Sequence, residues 1–145
     1  MLKVGNVSSL FFATTNGSIL ASELELDKQG IIKDKHYNKD SKRSVLIASL
    51  DSYLLAKEHG IEVPYGALGE NLLMDYNPYH LDAGTRVKIA DVTLEISQHC
   101  TLCKSFTKID TKLPNLLKDD RGVFAQVIEA GYIKEGDAIY LVREI

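Results

Sequence analysis

The sequence Val92-Thr93-Leu94-Glu95-Ile96-Ser97-Gln98-His99-Cys100-Thr101-Leu102-Cys103 joins an apolar alternation to both cysteines of the chain. Val92, Leu94 and Ile96 alternate with polar residues, which predicts a strand with one buried face. Residues 86–89 precede it through Ala90-Asp91, so the two segments are predicted to form a β-hairpin. Because strand ends that lead into loops present side chains from a rigid scaffold, the residues after Ile96 are the first candidates for a functional site.

Short apolar or alternating runs predict strands along the rest of the chain as well. They lie within residues 1–15, 19–26, 44–48, 72–74, 122–128 and 138–142. Asn16-Gly17 is a hairpin turn signal, and Gly131, Ile133 and Gly136-Asp137 predict another turn. One helix is predicted, with Ser49 as its N-cap, Leu50, Tyr53 and Leu54 on one face, and Gly60 after its end. Residues 33–43 are predicted to form a loop, and 104–121 to hold one short helix or none. This pattern indicates a mainly β barrel or sandwich.

Length and composition bound the class of protein. The chain has 145 residues and is 45% hydrophobic, which predicts a single domain spanning 1–145 with its own core. It shows neither a secretory signal pattern nor an apolar run of roughly 20 residues, so we expect a cytoplasmic protein without a membrane segment. The net charge of -3 argues against a nucleic-acid partner.

Positive charge is concentrated in two segments, 33–43 and 104–121, although the chain as a whole is acidic. Two basic segments, one of them beginning beside Cys103, favour a local site for an anion. Solvated lysines on loops are the alternative interpretation.

The Cys100-x-x-Cys103 pair allows three chemical interpretations. A thioredoxin-like redox pair lacks its βαβ setting, and a zinc site would need His36 or His80 to join His99 and the cysteines. A single nucleophilic or metal-coordinating thiolate needs only a neighbouring cation such as Lys104. Two buried, chemically silent cysteines are the fourth possibility.

Two polar positions elsewhere are further candidates. His36 lies in the basic loop, where it binds an anion when protonated, binds a metal when neutral, or is simply exposed. Glu70-Asn71 follows Gly69 and precedes an apolar run, so Glu70 either acts as an acid or base or fixes the turn. Neither of the two glycine-rich phosphate-binding patterns is present.

Several motifs, taken in order, resemble the MOSC domain, which is named after the C-terminal domain of molybdenum cofactor sulfurase. They are Gly30 with Asp34, His36 and Arg43; Gly66-Ala67-Leu68-Gly69-Glu70-Asn71-Leu72; Ile96-Ser97-Gln98 with Cys103; Arg121-Gly122 with Ala125; and Gly131-Tyr132-Ile133-Lys134-Glu135-Gly136-Asp137. The resemblance extends from about residue 1 to 142. It implies a mainly β, barrel-like MOSC-type fold with one or two short helices.

The resemblance also implies a function and a site. Cys103 matches the family's cysteine that coordinates molybdenum or carries persulfide sulfur, whereas Cys100 falls where members vary. The cofactor-binding positions implied are His36, Arg43, Glu70, Asn71, Lys104 and Arg121. The expected ligand is molybdopterin or another anionic small molecule, with a sulfur donor or a molybdoenzyme as protein partner. Pyridoxal phosphate is not expected, because the domain that binds it in the full sulfurase is missing.

Two functional hypotheses follow from this resemblance. The leading one is a cofactor-binding or sulfur-carrier domain that serves cofactor biosynthesis or maturation. The alternative is a molybdenum-dependent reductase of N-hydroxylated compounds that acts with a separate redox protein. A zinc-binding or purely structural role is the third possibility.

Overall fold

The computed structural model describes residues 1–100, 104–118 and 120–142, without the side chains of Lys104 and Ser105. Eleven strands and three short α-helices are found there. The strands are β1 Leu2–Thr14, β2 Gly17–Ala21, β3 Glu23–Asp27, β4 Gly30–Ile31, β5 Val45–Ser49, β6 Leu72–Met74, β7 Arg86–Ile89, β8 Val92–His99, β9 Val123–Glu129, β10 Gly131–Lys134 and β11 Ala138–Leu141. The helices are α1 Leu50–Glu58, α2 Lys104–Ile109 and α3 Leu113–Leu116, and single 3-10 turns occur at Ser41–Arg43 and Pro78–His80.

Seven of the strands close into a barrel. The large sheet has the order β11-β7-β8-β9-β5-β6-β1-β2, and β11 also pairs with β1, which closes the ring and leaves β2 outside it. Among the strand pairs of the described residues, only β5 and β6 are parallel. A smaller sheet with the order β10-β3-β4 packs against the barrel. The mainly β, barrel-like fold expected from the sequence is therefore confirmed.

The apolar runs of β5 and β6 divide between two hydrophobic cores. Ile47 and Leu72 pair across the two strands and point into the barrel core. Their neighbours Ala48 and Leu73 point the other way, into a second core with residues of all three helices. Because successive strand residues face opposite sides, a continuous apolar run is the pattern expected of strands covered on both faces.

Several local predictions are confirmed. The hairpin of β7 and β8 turns through residues 90–91. The hydroxyl of Ser49 accepts a hydrogen bond from the Asp51 backbone N–H (2.9 Å) at the start of α1. Gly60 follows α1 with a φ of +77°, the left-handed conformation that glycine adopts easily.

Other local predictions are wrong for identifiable reasons. Gly131 and Ile133 lie not in a turn but in strand β10, which pairs with the distant β3, whereas the predicted turn is present at residues 135–136. The first hairpin turns at residues 15–16, because Gly17 already pairs with Thr14. Leu54 is 56% exposed instead of lying on the buried face of α1. Helix α2 was not expected, which brings the number of short helices to three in the described part of the chain.

A β-bulge at Ser97 changes the side of the sheet to which the last side chains of β8 point. Ile96 pairs with Ala125, whereas Gln98 pairs with Phe124, so one residue of β8 is left over. Since the side chains of a strand alternate between its faces, residues after the bulge face the opposite side from that predicted by the preceding alternation. The Ser97 hydroxyl donates to the carbonyl oxygen of Lys42, which ties the bulge to the loop before β5.

No helix in the described ranges is long and apolar enough to cross a membrane.

Candidate functional site: a basic pocket on the outer face of the barrel

A pocket of about 470 Å³ lies against the outer face of strands β5 and β9. Leu46 and Phe124, which pair across these strands, both line it. Leu68 of the 60–71 loop and the buried Phe106 of α2 add further apolar surface. The volume falls within the range of small-molecule sites, and most such sites combine an apolar lining with a few polar groups.

The loop before β5 lines the pocket with basic side chains. Lys35, His36, Lys39 and Arg43 all contribute, against the single carboxylate of Asp40. Within the described residues, the two lysines and Arg43 form no ion pair with a carboxylate. Cations that outnumber the carboxylates lining the same pocket, placed together beside an apolar surface, create a positive potential suited to an anion.

Arg43 is held in place by an aromatic ring. Its guanidinium carbon lies 4.7 Å from the centroid of the Phe124 ring, a cation–π contact that leaves the donor edge of the guanidinium available. Phe124 therefore contributes to the apolar lining and also orients the pocket's arginine.

The buried carboxylate of Asp34 connects three segments around the pocket. Its Oδ2 accepts hydrogen bonds from the Ala13 backbone N–H (2.7 Å) and the Asn71 Nδ2 (2.9 Å). Its Oδ1 accepts one from the His36 backbone N–H (2.8 Å) and lies 3.0 Å from His36 Nδ1. Strand β1, the basic loop and the segment before β6 are thus fixed to one carboxylate, and the ring of His36 is oriented with Nδ1 facing it.

Asn71 lines the pocket, but its side-chain amide is occupied by structural bonds. Its Oδ1 accepts from the Leu46 backbone N–H (3.0 Å), and its Nδ2 donates to Asp34 and to the Phe11 carbonyl oxygen (3.2 Å). Asn71 therefore links the segments that form the pocket walls.

Cys100 enters the pocket lining because of the bulge at Ser97. Its backbone N–H donates to the Gly122 carbonyl oxygen (3.0 Å), and its side chain is buried. Gly122 has a φ of +99°, and a Cβ there would lie 2.4 Å from the Ile47 carbonyl oxygen. Glycine is therefore required just before β9, where the chain crosses β5 next to Cys100.

Glu70 points away from the pocket, into the second core. Both of its carboxylate oxygens accept from the Tyr53 hydroxyl (2.8 and 2.6 Å), and Oε2 also lies 3.3 Å from the Gly66 backbone N–H. Burial raises the pKa of the Glu70 carboxyl, and burial beside this carboxylate raises the pKa of the Tyr53 hydroxyl. The Tyr53–Glu70 pair therefore anchors the 60–71 loop on the side away from the pocket.

The remaining predicted site residues lie elsewhere or outside the described residues. Arg121 does not line the pocket; its Nη2 donates to the Pro114 carbonyl oxygen (3.2 Å), and its buried Nε has no hydrogen-bond partner among the described residues. Lys104 begins α2, but its side chain is not described. Cys103, the predicted metal ligand and sulfur carrier, lies outside the described residues.

Of the three histidines considered for a zinc site, His36 faces the Asp34 carboxylate and the other two contact tyrosines. His99 stacks on Tyr79 with ring centroids 4.1 Å apart, and His80 Nε2 lies 3.0 Å from the Tyr76 hydroxyl. Among the described residues, no group of three potential metal-ligating side chains comes together.

Sequence reasoning did not assign several residues to the pocket. Lys35 and Lys39 were signalled only by the basic run in which they lie. No sequence pattern indicated that Phe106 and Phe124 line the pocket, because their positions depend on α2 and on the pairing of strands distant in sequence.

A closed β-barrel with a basic, partly apolar pocket on its outer face defines a small domain suited to binding an anionic small molecule. The MOSC domain model matches residues 33–140, and the chain belongs to the MOSC family. This family is generally linked to molybdenum cofactor binding or sulfur transfer.

Solved structures share the fold at low sequence identity. The YuaD protein from Bacillus subtilis superposes with a TM-score of 0.80 at 18% identity, covering 93% of each chain. YiiM from Escherichia coli gives 0.72 at 20% identity, covering 97% of this chain and 71% of that chain. YiiM from Geobacillus stearothermophilus gives 0.69 at 14% identity, covering 97% and 74%. A search of curated proteins found no match.

Replacing Asp34 should weaken the fold around the pocket. In Asp34→Asn one acceptor oxygen becomes an amide donor, which leaves two of the four donors facing it without an acceptor. We expect a loss of about 3 kcal/mol in the free energy of unfolding, measured by urea denaturation. Asp40→Asn, in the same loop but exposed, is the matched control and should lose less than about 1 kcal/mol because asparagine is an equally good cap. Equal losses in the two variants would contradict the connecting role of Asp34.

The buried Glu70 should make stability depend on pH. Because its folded-state pKa is raised above the ordinary 4.5, the folded protein holds this proton more tightly than the unfolded chain does. The associated stability is fully present below pH 4.5 and is lost as the pH rises through the raised pKa. Relative to Glu70→Gln, the wild type should therefore lose unfolding free energy as the pH increases over that window. Denaturation at a series of pH values, with the exposed Glu62→Gln as reference, measures this, and a constant difference between wild type and Glu70→Gln would contradict it.

Proposed function

We propose that the basic pocket binds the molybdenum cofactor and that Cys103 supplies the thiolate that coordinates molybdenum or carries sulfur. One observation carries the proposal: in a MOSC-family chain, Lys35, Lys39 and Arg43 line a pocket in which Asp40 is the one carboxylate among the described lining residues, while the remaining surface is largely apolar. Such a pocket suits a ligand that joins an anionic group to a flat ring system.

The residues present fit the chemistry of molybdopterin. Lys35, Lys39 and Arg43 would hold its phosphate through charge-assisted hydrogen bonds. Leu46, Leu68 and the exposed part of the Phe124 ring would contact the ring system. When bound, the cofactor supplies a molybdenum centre with sulfur ligands, for which a cysteine thiolate is a suitably soft partner.

The protein's own residues would orient the ligand. Asp34 holds the His36 ring through Nδ1, so Nε2 is the nitrogen free to meet a ligand. Asn71, held by Asp34 and Leu46, keeps the wall of the pocket in place. Glu70 would act indirectly, by fixing the 60–71 loop through Tyr53. Arg121 would also act indirectly, through its hydrogen bond to Pro114 of α3. Lys104 would add positive charge next to Cys103.

The position of Cys103 in the sequence supports its proposed role. It follows Cys100 by three residues, and Cys100 lines the pocket. As a sulfur carrier, the Cys103 thiolate would take the outer sulfur of a persulfide on a donor protein, with release of the donor's cysteine thiolate, and would later pass this sulfur by the same exchange to a cysteine thiolate of a molybdoenzyme. As a metal ligand, the same thiolate would remain bound to molybdenum.

Elemental and pterin analysis tests the proposal on protein purified from a host that makes molybdenum cofactor. The wild type and Cys100→Ser should retain molybdenum and pterin near stoichiometry. Arg43→Gln should lower pterin affinity by roughly tenfold or more, because it removes a charge-assisted contact. Arg86→Gln, which changes an arginine outside the pocket that pairs with Glu95 (3.7 Å), is the matched control and should behave as the wild type does.

The Cys103→Ser variant separates the two roles of the thiolate. Loss of molybdenum with pterin retained supports a metal ligand. Retention of molybdenum, together with loss of the sulfur atom that a persulfide donor adds to the intact wild type, supports a carrier. If Cys103→Ser retains cofactor and accepts as much sulfur as the wild type, the assignment of Cys103 fails. Wild-type protein with zinc alone, or with neither metal nor pterin, would contradict the proposal for the pocket.

A further inference from the structure

Strand β2 is the open edge of the eight-stranded sheet. The other seven strands form the closed ring, and β2 pairs only with β1 in that sheet. In an antiparallel ladder, alternate residues of an edge strand direct their backbone N–H and C=O groups away from the neighbouring strand. Within the described residues, the backbone of residues 18–20 has no hydrogen-bond partner beyond β1.

This edge lacks the features that usually protect an exposed strand. Residues 13–22 contain no charged residue and no proline. The pairing with β1 runs without a register shift from Ala21, opposite Leu10, to Gly17, opposite Thr14. Charges, prolines and bulges are the devices by which proteins prevent edge-to-edge pairing. Strand β2 is therefore a regular, neutral template for another strand.

Apolar side chains are exposed on both faces of β2. Ile19 is 46% exposed and Leu20 is 66% exposed, and as neighbours in a strand they point to opposite faces. An added strand would therefore cover apolar surface above and below the sheet as well as the backbone edge. By contrast, the edge strand β10 of the small sheet carries Lys134, whose Nζ lies 3.7 Å from a carboxylate oxygen of Glu23.

We propose that β2 pairs antiparallel with β2 of a second copy of this chain, about a twofold axis at Ile19, the middle residue of the strand. When two identical edge strands pair antiparallel, one interface provides hydrogen-bond partners for the exposed backbone groups of both copies. A strand from another protein would provide partners for only one copy. The neutral segment also brings no like charges together, although each chain carries a net charge of -3. The charged residue nearest to β2 along the sequence, Glu23, lies beyond the paired segment.

Sedimentation equilibrium of the full chain, over a range of concentrations, tests this proposal. The wild type should reach twice the 16.1 kDa mass of one chain. Ile19→Lys and Ile19→Glu should each remain at the monomer mass, because a twofold axis at Ile19 places like charges opposite each other. A mixture of the two variants should recover the dimer mass, because opposite charges then meet. Leu54→Lys is the matched control, since the exposure of Leu54 (56%) lies between those of Ile19 and Leu20 but Leu54 lies on α1, and it should dimerise as the wild type does.

Three results would overturn the proposal. They are a wild type that stays monomeric at every concentration, a dimer that survives both Ile19 substitutions, and a dimer that is lost in Leu54→Lys. Failure of the mixed Ile19 variants to associate would contradict the twofold register at Ile19. Circular dichroism of each variant identifies unfolding, and Leu20→Lys, at a still more exposed site, then serves as a second monomerising variant.

Discussion

The buried carboxylate of Asp34 is the interaction on which the candidate site depends. Four donors, two at each oxygen, bring strand β1, the basic loop and the segment before β6 to one point. A buried carboxylate is unfavourable unless such donors surround it, so the loop is held where the carboxylate is satisfied. The positions of the loop's basic side chains follow from this constraint, because Lys35 and His36 directly follow the anchored residue. Because of these bonds, the lysine-rich loop forms one wall of the pocket.

The barrel supplies the opposite wall by using both faces of its strands. In β5, Ile47 fills the barrel while Leu46 faces the pocket. The bulge at Ser97 turns the end of β8 so that Cys100, like Phe124, lines the pocket. Phe124 in turn carries the guanidinium of Arg43. A barrel of this kind keeps its own core complete, and a site built on its outer face can vary without emptying that core. The MOSC fold is therefore compatible with a polar site next to a closed apolar interior.

Sequence patterns predicted the elements whose causes are local. The β7–β8 hairpin follows from strict alternation and a short turn, and the start of α1 follows from the capping side chain of Ser49. Strand β10 was missed because its partner, β3, lies about a hundred residues earlier, and no local pattern encodes that pairing. The basic run predicted an anion site at the loop whose side chains line the pocket, but the apolar wall of this pocket, including Phe124, is assembled only by tertiary contacts. Glu70 shows most clearly what sequence patterns do not predict. Its neighbours Gly69 and Asn71 line the pocket, whereas its own side chain points away from the pocket to Tyr53.

We propose that this pocket, together with the Cys103 thiolate, holds the molybdenum of a bound cofactor. The most direct measurement is anomalous diffraction at the molybdenum absorption edge from crystals of cofactor-loaded protein. We predict one molybdenum peak within bonding distance of the Cys103 sulfur, with the cofactor's phosphate at Arg43 and the neighbouring lysines. A peak at another surface, or loaded protein whose phosphate lies away from Arg43, would contradict this account of the site.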